Sequence, residues 1–140
     1  MTDIQIAKAN LIGHSICLCK NGTFFTDDGQ GISPMMKFIR EGRNLNGYSA
    51  ADIIVGKAAA MLFVKAGISE VYGRIMSKAA CGFLREHKTP FSYDMLTDSI
   101  INRKGDDICP MEKAVMNIND IDEAYQALDK TVKRLMPDNP

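Results

Sequence analysis

Residues 53–64 form the longest strongly apolar stretch of the chain, broken by a single charge, Lys57. The stretch is far short of the ~20 residues that cross a bilayer, so the rest of the chain has to bury it. Its flanks read as helix ends. Ser49-Ala50-Ala51-Asp52 is a variant capping box with Asp in the place of Glu or Gln, and Tyr48 and Ile53 are spaced for a hydrophobic staple around it. Gly67 supplies the stop. The spacing predicts a helix over residues 49–66, with only Asp52, Lys57 and Lys65 charged. A helix apolar nearly all round is enclosed on most sides, so this one is expected at the centre of the fold. Gly56 and Ala60 leave room for another backbone to come close.

What surrounds it alternates between strand and helix signals. Ile4, Ala7 and Leu11 recur at helical intervals and predict a first helix over residues 3–12. Residues 15–20 and 23–26 are β-prone, and Asn21-Gly22 between them is a strong hairpin signal. After the loop at residues 27–31, Ser33-Pro34 opens a short helix with Ser as the cap, and Gly42 ends it. Residues 71–76 read as a buried strand, and Ser77 caps a helix running to about His87. Residues 91–93 and 99–101 are short strands, and residues 102–108 a polar loop. Cys109-Pro110 begins a further helix, and Asp120 with Glu123 caps the last one. The methionines are expected as core filler. The whole predicts an α/β domain: a mixed sheet, made of an N-terminal hairpin and further strands, covered by helices.

With 140 residues and 46% of them hydrophobic, the chain suits one globular domain, here residues 1–136 with a frayed tail at 137–140. Lys plus Arg and Asp plus Glu are both 17, a formal net charge of zero. That argues against a nucleic-acid or membrane-surface partner, which calls for a basic excess. Cys17, Cys19, Cys81 and Cys109 form no C-x-x-C pair, and the spacing of Cys17 and Cys19 along one strand face suits two free thiols better than a disulfide. Free thiols, and a start without a charged segment leading into an apolar one, point to the cytoplasm.

Three stretches carry a resemblance. They are Ser49-Ala-Ala-Asp-Ile-Ile-Val-Gly-Lys-Ala-Ala-Ala60, Val71-Tyr72, and Asn102-Arg103-x-Gly105 followed by Cys109-Pro-Met-Glu112. Together they resemble the domain-of-unknown-function family 1893 over residues 3 to about 135. Gly-Lys-Ala-Ala-Ala and Cys-Pro-Met-Glu are the more specific markers. The resemblance implies a cytidine deaminase-like, three-layer fold. Zinc deaminases carry H-x-E or C-x-E at the start of the central helix and P-C-x-x-C at the start of the next. The matching segments here are Lys57-Ala58-Ala59 and Ser77-Lys78-Ala79-Ala80-Cys81. Only Cys81 matches a ligand, and Ala59 stands at the position of the acid/base Glu. A catalytic zinc takes about three protein ligands, so the resemblance implies the fold without the metal, and no cofactor is expected.

Several residues stand out as candidate site residues. Lys57 interrupts an apolar segment, either as a cation facing a pocket or as an edge lysine that keeps its head in water. Asp52 is a capping residue or a proton-transfer group. Asn102, Arg103, Lys104 and Gly105, with the helix start at Cys109, could cradle an anion, against the two charges of Asp106 and Asp107. A helix start also favours a thiolate at Cys109. In the implied scaffold the pocket lies at the starts of the central and following helices, near Asp52, Lys57, Ser77 and Lys78. The ligand-binding set is therefore Lys57, Ser77, Lys78, Asn102, Arg103, Gly105, Cys109 and Glu112, with Lys57 and Arg103 expected on one cavity. Three functions follow: a zinc-free binder of a nucleotide-like or phosphate-bearing anionic small molecule, an enzyme with Cys109 as nucleophile assisted by Lys57 or Asp52, or a homodimeric interaction module.

Overall fold

A computed structural model describes residues 1–135. The tail expected at 137–140 lies outside the described residues. Eleven elements follow one another: α1 (Asp3–Ala9), β1 (Ile16–Lys20), β2 (Thr23–Asp27), α2 (Ser33–Arg40), β3 (Ser49–Val55), α3 (Lys57–Ala66), β4 (Glu70–Ser77), α4 (Lys78–Glu86), β5 (Phe91–Thr97), α5 (Pro110–Val115) and α6 (Ile121–Leu135). The strands form one sheet in the order β2-β1-β3-β4-β5. β1 pairs antiparallel with β2 and β3, whereas β3, β4 and β5 are parallel. The expected α/β class with a mixed, helix-covered sheet is what the chain adopts. No helix among the described residues is long and apolar enough to cross a membrane.

The hairpin is built as its sequence dictates. Asn21 at φ 52° and Gly22 at φ 80° supply the two left-handed residues of a type I′ turn. Along β1 the side chains alternate between two cores. Ile16 and Leu18 join a large one with α2 to α6, and Cys17 and Cys19 a smaller one under α1. Helices therefore lie on both faces, with α1 alone on one. Met35, Met36, Met61 and Met76 are buried in the large core, the filler role expected of methionine.

The main correction concerns residues 49–66. They are not one helix: residues 49–55 are the central strand β3, and α3 begins only at Lys57. Ser49 and Asp52 are thus strand residues, and the capping box and staple do not exist. A short, fully apolar segment has the same pattern as a buried strand or a buried helix. The β-branched Ile53-Ile54-Val55 followed by Gly56 tip it toward a strand and a turn. α3 itself is central and almost wholly buried, as expected, and Gly67 at φ 78° ends it.

Smaller corrections are local. Ile32, not Ser33, is the N-cap of α2, with Ser33 and Pro34 inside the first turn. Residues 99–101 form no strand: Ile101 makes an isolated bridge to Ile108. The first helix stops at Ala9, after a capping box between Thr2 and Gln5.

Candidate functional site

Two parallel strands, β3 and β4, each run straight into a helix, and the two helix starts lie side by side. Ser77 closes the second start. Its hydroxyl oxygen accepts a hydrogen bond from Ala80 N at 3.1 Å, the ordinary serine N-cap. The first start has no such residue, because Gly56 stands at its N-cap. The cap comes instead from Glu112 on α5. Its Oε1 accepts from Lys57 N at 2.8 Å and its Oε2 from Ala58 N at 2.9 Å. A Cβ on residue 56 would lie 2.5 Å from that carboxyl group, so the glycine is what lets Glu112 in. The gap expected at Gly56 to admit a backbone admits a side chain.

A cavity of about 150 Å³ opens beside these starts, lined by Lys57, Ser77 and Ala79 on one side and Asp98, Ser99 and Glu112 among others on the other. The Lys57 ammonium donates to Met116 O and to Asn119 Oδ1, both at 3.3 Å. The exposed Lys78 reaches over to Asp98 at 2.7 Å. That pairing raises the Lys78 pKa and lowers that of Asp98. Burial pushes the Glu112 carboxyl up, while the N–H bonds from Ala58 and Lys57 and the Lys57 charge pull it back.

Of the residues singled out in the sequence, Lys57, Ser77 and Glu112 meet at the cavity, and Lys78 sits at its edge through Asp98. The others lie elsewhere. Arg103 is exposed and does not line the cavity. Asn102 is used inside its own loop: its Oδ1 accepts from Gly105 N at 2.9 Å and Asp106 N at 3.2 Å, and Gly105 takes φ 77°. Half-buried Cys109 is the N-cap of the short α5, makes no side-chain cap bond, and does not line the cavity. Asp52 is buried within β3 at 8% exposure, in register with Ile16 and Gly73. Burial lifts its carboxyl to about 7.

Sequence reasoning missed Asp98 and Ser99, which lie in a stretch without any motif, and the clearance role of Gly56. The last left a signal: a helix start without a capping oxygen needs a partner from elsewhere. The positions matched to a zinc site do not suit the metal. Lys57 and Ala59 stand in the first turn of α3, and Cys81 is buried in α4 with its thiol pushed up by burial. Among the described residues no group of three or more His, Cys, Asp or Glu is arranged to hold a metal ion.

The two most specific family markers of the sequence are thus one contact, Gly56-Lys57-Ala58 against Glu112. The chain resembles the crystal structure of a DUF1893 family protein from Thermotoga maritima, with 27% identity and a TM-score of 0.76 over 83% of this chain and 79% of that one. No curated protein matches it. The family model described as a domain of unknown function, DUF1893, matches residues 7–132, and the chain belongs to that family.

Proposed function

We propose that this chain is a zinc-independent binding domain on a deaminase-like scaffold, taking a nucleotide-like or other phosphate-bearing small molecule at the cavity beside α3 and α4. The observation that carries this reading is the convergence of two helix starts, the Ser77 hydroxyl and Lys57 on one cavity. That cavity lies beyond the carboxyl ends of parallel β3 and β4, where open α/β sheets hold their ligands. The first N–H groups of α3 are engaged by Glu112, so a phosphoryl group would be received at the first turn of α4, with Lys78 at its edge. About 150 Å³ is below the ~300–1,000 Å³ of drug-sized sites. One ring or one phosphoryl end fits inside, and the rest of the ligand lies along the surface.

Thermal unfolding against inorganic phosphate, nucleoside monophosphates and the parent nucleosides tests this. A true ligand at about 100 times its Kd stabilises by ~2.7 kcal/mol. Lys57→Ala and Ser77→Ala are each expected to weaken that response. If no phosphate-bearing compound stabilises the protein at millimolar concentration, the reading is wrong.

A further inference from the structure

We propose that Glu112 is a latch: its carboxylate fastens a flap, residues 98–116, against the start of α3, and neutralising Glu112 lets the outer part of the flap, residues 99–109, move as a unit. This goes beyond ligand choice and does not depend on it.

The flap provides one whole side of the cavity, from Asp98, Ser99, Ile100 and Ile108 to Glu112 and Met116. Its outer part is closed on itself. Asn102 N donates to Asp107 O at 2.8 Å, Cys109 N to Ile100 O at 2.9 Å, and Lys113 pairs with Asp107. A segment whose backbone groups are satisfied internally can shift without leaving them unpaired. Its far end is anchored, because Val115 is fully buried in the main core. Between that anchor and β5, two polar contacts fasten the segment to the body: the exposed Asp98–Lys78 pair at its base, of a kind that contributes little, and the part-buried Glu112 on Lys57 N and Ala58 N, while the Lys57 ammonium holds Met116 O just past the anchor.

The fastening depends on charge. A carboxylate accepts both N–H groups, whereas a protonated acid or an amide offers one good acceptor and leaves the other N–H unpaired. The groups around Glu112 are Lys57 on α3, Ser77 across the cavity, and Asp98 on its own side, paired with Lys78. Lys113, on the same helix, is taken up by Asp107. Burial of Glu112 outweighs its hydrogen bonds, so it takes up a proton at higher pH than an exposed glutamate. Asp52, raised to about 7, stands on the strand that leads into the reporter amides of Lys57 and Ala58, so the experiment belongs in an Asp52→Asn background.

The test is NMR relaxation dispersion, which reports microsecond-to-millisecond exchange, across a pH series. In the Asp52→Asn protein, residues 99–109 are expected to exchange as one block with a single rate, growing as pH falls through the Glu112 titration seen at the Lys57 and Ala58 amides. Glu112→Gln is expected to show that block motion already at neutral pH, and independent of pH. Gly56→Ala, which crowds the carboxylate out, should do the same, so failure of one variant to fold leaves the other. A static cap would change only the Lys57 and Ala58 amides. Residues 99–109 that stay quiet in the variants, or at low pH in the parent, overturn the latch.

Discussion

The units β3–α3 and β4–α4 are neighbours, parallel and in register, with Asp52 beside Gly73 and Val55 beside Met76. Yet they are finished differently. The second unit closes itself, through Ser77 on Ala80 N three positions on. The first is closed by Glu112, 55 positions from Lys57, and carries a buried acid where the second has glycine. A local cap is formed as soon as its own helix forms. A remote one is completed only when the last third of the chain has packed. The central helix, the most buried of the fold, is therefore the one whose start depends on long-range assembly.

The largest expected effect breaks the symmetry at Asp52 against Gly73. In the folded chain burial lifts Asp52 to about 7 from an ordinary 3.8. The folded state then keeps a proton that the unfolded chain has released, so stability falls as pH rises from about 4 to about 7 and is flat above. The full span is at most about 4 kcal/mol. Asp52→Asn should match the parent near pH 4 and exceed it at pH 8 by up to that amount. Asp3, Asp27, Asp98 and Asp107 are lowered and lose stability in acid. Only the difference between the two proteins isolates Asp52. Urea unfolding from pH 4 to 8 gives it, and two parallel curves would mean that Asp52 is already charged in the fold.

The same contrast explains what could be read from sequence. The hairpin, the Ser77 cap, the start of α5 at Pro110 and the αL stop at Gly67 are all set by residues within a few positions, and each was legible. The β3–α3 boundary was not. Apolar residues on both sides of Gly56 erase the periodicity that separates strand from helix, and Ser49 and Asp52 imitate a cap. The site was half legible. Lys57 announces itself as the one charge in an apolar run, and Ser77 as a cap at a helix start. Glu112 was visible only as part of a marker, since its partner lies on another element. Arg103 and Asn102 were expected on the same cavity and do not line it, because a polar loop closed on itself has the composition of a binding loop.

A smaller effect probes the remote cap itself. Gly56→Ala would set a Cβ 2.5 Å from the Glu112 carboxyl carbon and Oε1. The strain of a tight core and the loss of the cap together should cost about 3 kcal/mol. The backbone at residue 56, with φ −96° and ψ −177°, is open to alanine, so the cost should come from the contact alone. Adding Glu112→Ala to Gly56→Ala is then expected to cost less than the two separate losses combined. A Gly56→Ala protein as stable as the parent would show that Glu112 is not bound at this start.

The smallest effect belongs to the local cap. Ser77→Ala removes one acceptor. Ser77 and Ala80 are both buried, so the freed Ala80 N–H is left without a partner, which puts the cost in the upper part of the ~0.5–2 kcal/mol range of a lost cap. The sharper quantity is the coupling of Ser77→Ala with Gly56→Ala. If each helix start is an independent device, their costs should add to within about 0.5 kcal/mol, as for sites without a shared partner. The two caps face the same cavity but bond different helices, so additivity is the expected result. A larger coupling in a double-mutant cycle would mean that loosening one start relieves the other, through the packing of α3 on α4 or through water in the cavity. The self-closed unit would then lean on its neighbour, and the distinction between local and remote closure would hold for the bonding pattern but not for the energy.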